Sequence, residues 1–94
     1  MSLITNKNAP VFDLTAINRG DNIRIRRATD ANARNGIVTR LDENRMQILW
    51  ANVQNNATSF MDVDATDVAI GVWEIWWSSD MQTINYHPAA GTNA

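Results

Sequence analysis

The chain has 94 residues, a formal net charge of −2 and no cysteine. This length is that of a single domain, and the lack of cysteine excludes disulfide bonds, thiolate metal sites and cysteine nucleophiles. No apolar run is long enough to cross a bilayer and the first residues lack the apolar centre of a signal peptide, so we expect a cytoplasmic protein with no membrane partner.

Arginine and tryptophan are separated along the chain. All seven arginines fall between Arg19 and Arg45, whereas all four tryptophans lie at Trp50 or later. Residues 1–47 carry eight Lys/Arg and five acidic side chains, and residues 48–94 carry five acidic side chains and no lysine or arginine. This imbalance predicts a local basic patch rather than a surface that coats nucleic acid.

The first twenty residues predict an extended lead-in followed by one helical turn. Residues 1–10 mix polar and small side chains and end at Pro10, which favours an extended segment. Asp13 can cap the turn that follows, with Phe12 and Ile17 at hydrophobic-staple positions. Gly20 can end that turn in the left-handed conformation. A short strand is the alternative for the same residues.

From Asn22 onward, apolar side chains alternate with polar ones in short segments separated by turn residues, which indicates β-strands. The predicted strands are 22–27, 37–41, 46–53, 57–63, 72–78 and 81–86. Between them we predict a loop at 28–35, tight turns at 42–45 and 54–56, and a short helical or 3₁₀ turn at 64–69. Asp64 would cap that helical turn, and Gly36 would take a positive φ at the start of its strand. We therefore expect one domain over 11–87 and a flexible tail at 88–94.

The order of these features resembles a known barrel. Gly20-Asp21-Asn22-Ile23-Arg24-Ile25, Gly36-Ile37-Val38-Thr39-Arg40-Leu41 and Met46-Gln47-Ile48-Leu49-Trp50 precede Phe60 and the turn at 64–67. Over residues 19–70 this pattern is similar to the SH3-like small β-barrel superfamily, in its KOW and Tudor-type versions and in the SH3-like subunits of photosystem I and the photosynthetic NDH complex.

The resemblance implies an all-β, SH3-like barrel of five to six antiparallel strands whose members bind nucleic acid, modified peptides or an acidic electron carrier. This chain would add a C-terminal hairpin and one short helical or 3₁₀ turn to that barrel. Because the sequence departs from those families after Ile70, the resemblance carries over no binding residues, and fold alone does not name a function.

A row of arginines is the first candidate binding surface. Adjacent antiparallel strands would bring the following guanidinium groups to one outer face: Arg24, Arg26, Arg40 and, as a further candidate, Arg45. Guanidinium forks recognise carboxylates and phosphates, so an acidic protein or a nucleic acid is the predicted partner. The alternative is a solvated face paired across strands with Asp42, Glu43 or Glu74.

The four tryptophans and Tyr86 form the second candidate surface. In the strand at 72–78, Trp73, Ile75 and Trp77 share one face, while Glu74 and Trp76 share the other. Trp73 and Trp50 are therefore predicted to pack in the core. Trp76 is predicted to face outward as a partner anchor, because an exposed indole buries a large area at low entropic cost.

Metal binding and catalysis find little support in the sequence. Asp62, Asp64 and Asp67 could gather around a hard cation, but the segment lacks the glycine and distal glutamate of a calcium loop, and two of these carboxylates suit turn caps. His87 is the only histidine, the serines have no other base, and the four glycines are too scattered for a phosphate loop. We expect no enzyme, cofactor, metal or small-molecule substrate.

The predicted function is that of a non-enzymatic binding or assembly module. Its contact residues would be Arg24, Arg26, Arg40 and Trp76, and its partner would be a protein or a second copy of the chain. The alternative is a nucleic-acid-binding barrel in which the three arginines contact phosphates. A third alternative is a structural component of a phage or another large assembly.

Overall fold

The computed structural model describes residues 2–52 and 57–90. It contains one short helix and eight strands, which follow the chain in this order: β1 (Ile4–Asn6), β2 (Pro10–Phe12), β3 (Asn22–Arg27), β4 (Arg34–Leu41), β5 (Arg45–Asn52), β6 (Ala57–Asp64), α1 (Ala65–Ala69), β7 (Trp73–Ser78) and β8 (Asn85–His87). Within the described residues, the structure contains no apolar helix of the length that a membrane span needs.

The strands form two antiparallel sheets. The larger has six strands in the order β6-β5-β4-β3-β7-β8, and the smaller pairs β1 with β2. The all-β class, the six antiparallel strands, the C-terminal hairpin of β7 with β8 and the short helix are thereby confirmed. The likeness to a particular SH3-like family stays a prediction.

Alternation along the strands builds the core. In β3, Ile23 and Ile25 are buried while Asn22 and Arg24 are exposed, because successive side chains point to opposite faces. The inner faces of the neighbouring strands add further buried side chains: Val38, Met46, Ile48, Trp73, Ile75 and Trp77. The N-terminal segment and α1 close this core with Leu3, Phe12, Ile17 and Val68.

The N-terminal lead-in is an ordered hairpin. Its residues 4–6 form β1, which pairs with residues 10–12 of β2, and the Asp13 amide donates to the Leu3 carbonyl at 2.8 Å. After β2 the chain makes the predicted single turn, in which the Asp13 carboxylate accepts hydrogen bonds from the Thr15 amide at 2.9 Å and the Thr15 hydroxyl at 2.6 Å. Gly20 has the predicted left-handed conformation, with φ at 96°.

Two strands differ clearly from their predicted ranges, while the others shift by one residue at one or both ends or agree. β4 starts at Arg34 rather than at residue 37, because residues 34–37 pair with 22–25 of β3. The last strand is only Asn85–His87 instead of 81–86, since the Asp80 carboxylate accepts the amides of Gln82 and Thr83 and holds the chain in a turn. The predicted turn at 54–56 lies outside the described residues.

Two residues play different roles from those predicted. Gly36 does not have a positive φ; it lies within β4, where a Cβ atom would come 2.3 Å from the Leu49 carbonyl oxygen. The close approach of β4 and β5 therefore explains why a glycine occupies position 36. Asp64 does occupy the N-cap of α1, but its side chain makes no capping hydrogen bond and instead accepts from Arg45 Nε at 3.2 Å.

The end of the described chain is docked on the domain. Ala89 is buried, and the Ala90 amide donates to the Gly71 carbonyl at 3.0 Å. The predicted flexible tail is thus anchored as far as Ala90, and residues 91–94 lie outside the described part of the chain.

Candidate functional site

The outer face of the six-stranded sheet brings an arginine and two aromatic rings into one row. The strand register pairs Asn35 with Arg24, Arg24 with Trp76, and Trp76 with Tyr86. Directly opposed residues in antiparallel strands point to the same face, so these four side chains are neighbours. The predicted outward direction of Arg24 and Trp76 is confirmed.

Trp76 lies between its two neighbours in this row. Its ring centroid is 5.3 Å from that of Tyr86, with the planes tilted by 39°, and the Arg24 guanidinium carbon is 5.3 Å from the Trp76 centroid. These contacts leave the indole half-buried and fix its orientation, as cation–π and tilted aromatic pairs do.

The surface beside Trp76 contains a depression of about 430 Å³, which we call the Trp76 recess. Its lining includes Arg24, Asn35, Gly36, Trp76, Met81 and Ile84. Met81 and Ile84 are 66% and 59% exposed, and the nearby Tyr86 is 44% exposed. Several large apolar side chains are therefore open to solvent at one place.

The loop that carries Met81 and Ile84 is held by hydrogen bonds. Asp80 Oδ1 accepts from the Gln82 amide at 2.8 Å and the Thr83 amide at 2.9 Å, and the Met81 amide donates to Ser78 Oγ at 2.9 Å. The bonds from Thr83 and Gln82 lower the pKa of Asp80, so the turn is intact at neutral pH. Met81 itself has φ at 63°, a conformation that costs energy for a residue with a side chain.

Arg26 lies on the same face but is engaged within the chain. Its Nε donates to Glu74 Oε1 at 2.9 Å, and its Nη1 donates to the Asp30 carbonyl at 2.6 Å. Glu74 is buried and also accepts a hydrogen bond from the Tyr86 hydroxyl. Arg26 thus follows the alternative of cross-strand pairing with Glu74 and serves the fold rather than a free binding surface.

The Glu74 network predicts a loss of stability in acid. The Tyr86 hydrogen bond, opposed by burial and helped by Arg26, holds the pKa of Glu74 below its ordinary value of 4.5. A depressed folded-state pKa contributes stability that is present above 4.5 and lost as the pH falls through the folded-state value. Urea unfolding from neutral pH to about pH 3 should show this loss as a fall in the free energy of unfolding. We call this falling part of the curve the acid limb, and it should be flatter in Glu74→Gln.

Tyr86→Phe is the matched control for this prediction. It removes the largest cause of the low pKa of Glu74 while leaving Arg26 in place, so its acid limb should lie between those of the wild type and Glu74→Gln. An acid limb that is identical in all three proteins would show that Glu74 is not among the groups responsible.

Arg40 lies away from Arg24 and Arg26. β3 pairs with β4 only as far as Ile37, and Arg40 follows the irregularity between Val38 and Arg40, where it pairs with Gln47 of β5. It lines a second depression, of about 900 Å³, together with Arg19, Arg45, Asp42 and Asp62. Because this depression is separate from the Trp76 recess that Arg24 lines, the predicted arginine row is not continuous.

Arginines from the first half of the sequence contact tryptophans from the second half in the folded structure. Besides the pair of Arg24 with Trp76, the Arg27 guanidinium lies 4.7 Å from the Trp73 ring centroid, and that of Arg34 lies 4.6 Å from that of Trp50. Trp73 is buried and Trp50 packs against the core, as predicted. These pairs stabilise the fold at the borders of the core and leave Trp76 as the outward tryptophan.

The residues considered for metal binding or catalysis are dispersed. In the parts of the chain that the structure describes, no three His, Asp or Glu side chains are arranged to hold a metal ion. His87 Nε2 lies 3.0 Å from the Val68 carbonyl oxygen, and the hydroxyl of Ser79 donates to Asp21 at 2.8 Å. A non-enzymatic role stays a prediction.

Sequence reasoning identified Arg24, Trp76 and Tyr86 as candidates but missed Met81 and Ile84. The segment 81–86 alternates like a strand, and its turn depends on the side chain of Asp80. The available signal was Asp80, because an aspartate side chain commonly accepts hydrogen bonds from the backbone amides that follow it in a turn.

Comparison with known proteins gives one family and no function. A family model described as "Domain of unknown function (DUF5026)" matches residues 3–84. No curated protein and no solved structure matches the chain.

Proposed function

The chain belongs to the DUF5026 family, and because the description of that family assigns no function, we propose from the geometry alone that it is a non-enzymatic protein-binding module. Its Trp76 recess would receive a large apolar side chain of a partner protein. The observation that carries this proposal is the exposure of Met81 and Ile84 beside an oriented indole.

The recess has the properties of an anchor site. Clustered exposed apolar side chains are unfavourable in water, and binding energy concentrates where an aromatic ring and an apolar pocket meet. The hydrogen bonds of Asp80 and Ser78 hold the rim in place before binding. A preformed rim reduces the ordering cost of association.

Arg24 suggests the chemistry of the partner. Its guanidinium group makes no ion pair in residues 2–52 and 57–90, although it lies at the edge of the recess. A carboxylate on the partner could pair with it in two-pronged fashion. We therefore expect a partner segment that combines an apolar anchor with a neighbouring Asp, Glu or C-terminal carboxylate.

A protein partner has more support than nucleic acid. Nucleic-acid affinity rises with the number of cations that meet phosphates in one path. Here Arg26 is bonded to Glu74, and Arg40 shares its depression with Asp42 and Asp62. Among the described residues, Arg24 is the one cation that lines the recess, so we expect little binding to DNA or RNA even at low salt.

Selection from a random peptide library displayed on phage tests this proposal. The purified chain should enrich peptides that share an apolar residue next to an acidic one, and synthetic versions should bind with a change in tryptophan fluorescence. Trp76→Ala and Ile84→Asp should weaken their binding at least about tenfold, which is typical of anchor residues. Arg24→Gln should weaken it less and remove the preference for an acidic residue.

Ile70→Asp is the matched control, since Ile70 is 63% exposed and Ile84 is 59% exposed, but Ile70 is not part of the recess. It should bind the selected peptides like the wild type. The proposal fails if no peptide is enriched, or if the enriched peptides bind Trp76→Ala and Ile84→Asp as well as they bind the wild type.

Met81→Gly should separate stability from binding. Glycine adopts a positive φ without strain, so unfolding free energy should stay unchanged or rise by up to about 1 kcal/mol. The same substitution removes an exposed apolar side chain from the recess, so affinity for the selected peptides should fall about tenfold or more. Urea unfolding and a fluorescence titration measure the two effects, and a destabilised variant that binds normally would contradict the assignment of Met81.

A further inference from the structure

The strand β6 forms a long edge of the six-stranded sheet. It runs over Ala57–Asp64 and pairs along its whole length with β5. On the opposite side, from Thr58 to Asp64, no strand of the described chain is hydrogen-bonded to it. A strand edge of this kind presents a row of backbone donors and acceptors that another strand can extend.

Two other strands that lie at a sheet edge carry features that oppose such pairing. The edge strand β8 has three residues and is followed by Pro88, and β2 begins at Pro10. The described length of β6 contains no proline, lysine or arginine, and its register with β5 is unbroken. Among the described strands, β6 is therefore the edge best suited to pairing.

An apolar row reaches the surface at this edge. Phe60 is 62% exposed on the outer face, where it lies opposite Leu49, which in turn lies opposite Ile37. Ile37 is itself 46% exposed. Phe60 is thus the outermost member of a row whose other members lie on the two strands behind it, and a strand added at the edge would continue this row.

We infer that β6 pairs antiparallel with β6 of a second copy of the chain, in a register centred on Phe60. In this register the two Phe60 rings face each other, and Asp62 of each copy faces Thr58 of the other. Aromatic cross-strand pairs are favourable and no carboxylates are opposed. A register centred on Asp62 would place two carboxylates face to face, and one centred on Met61 would place Phe60 opposite Asp62.

Two observations favour β6 of a second copy as the strand that pairs at this edge. In a register centred on Phe60, Asp62 of each copy lies opposite the neutral Thr58 of the other, so β6 can pair with itself about a two-fold axis without opposing two carboxylates. Pairing of β6 with β8 of a neighbour would use only three residues of β8 and would not close into a dimer. The predicted assembly is a dimer with one continuous sheet.

Sedimentation velocity over a concentration series tests the inference on the full chain. The mass should rise from that of one chain, 10.5 kDa, toward twice that value as concentration increases. Phe60→Lys should abolish the rise, because it brings two like charges together at the centre. Ile70→Lys, at a position that is 63% exposed, is the matched control and should associate like the wild type.

Two substitutions at Thr58 test the register itself. Thr58→Lys places an ammonium group opposite Asp62 of the other copy and should tighten association by about fivefold, since symmetry creates two ion pairs. Thr58→Asp should weaken association by about the same factor. These exposed substitutions also keep the test valid if Phe60→Lys folds poorly.

The inference is overturned if the wild type stays a monomer at all concentrations. It is also overturned if association occurs but the two Thr58 variants change it in the same direction, or if Phe60→Lys folds normally and associates like the wild type. The Trp76 recess lies on other strands, so Ile84→Asp should leave the dimer intact, and this inference and the proposed function can fail separately.

Discussion

Replacing Trp77 by alanine should lower the free energy of unfolding by about 3–5 kcal/mol, the range for removing a buried tryptophan. Trp77 is 1% exposed, lies in the central core cluster, and donates from Nε1 to the Ala16 carbonyl at 2.8 Å. The substitution would therefore leave a large cavity and a buried acceptor without its donor.

Trp76→Ala is the natural control because it changes the same residue type one position earlier in β7. Its side chain lies on the outer face, half-buried by Tyr86 and Arg24, so its loss should cost only about 1–2 kcal/mol. Trp77→Phe, which keeps most of the volume but not the hydrogen bond, should lie between the two. Urea unfolding measures all three, and equal losses for Trp76→Ala and Trp77→Ala would contradict the assignment of faces.

Replacing Gly36 by alanine should cost about 3 kcal/mol or more, at the upper end of the effects of overpacking. The added Cβ would come 2.3 Å from the Leu49 carbonyl oxygen and 2.8 Å from Ile48 Cγ2. Because the first of these atoms is backbone, β4 and β5 would have to separate, and they lie at the centre of the sheet.

Gly20→Ala distinguishes this effect from backbone conformation. At Gly20 a Cβ would meet nothing within 4 Å, but φ is 96°, so only the conformational cost of about 1–2 kcal/mol applies. Thermal or urea unfolding should rank Gly36→Ala as much the less stable variant. The reverse ranking would mean that the two strands can move apart at little cost.

The sequence allowed the faces of β3 and β7 to be predicted because alternation is a local property. Asn22-Ile23-Arg24-Ile25 could only place its isoleucines together, and Trp76 could not share a face with Trp77. Arg24 and Trp76 were therefore found as outward candidates before their contact was known.

The features of the structure that were not predicted depend on interactions that the alternation of apolar and polar residues along a strand does not reveal. The separation of Arg40 from Arg24 depends on how far β3 and β4 pair and on the irregularity after Val38. The exposure of Met81 depends on the side-chain hydrogen bonds of Asp80, which compete with strand pairing. The requirement for Gly36 depends on a strand neighbour thirteen residues further along the chain, Leu49.

The most direct test of the proposed binding role is an NMR titration of the isotopically labelled chain with a peptide selected from the library. We expect the largest shifts at the Trp76 indole N–H and at the amides of residues 22–24, 35–36 and 81–84, which surround the recess. Shifts concentrated instead around Arg19, Arg40 and Arg45, with the Trp76 indole unchanged, would contradict the account.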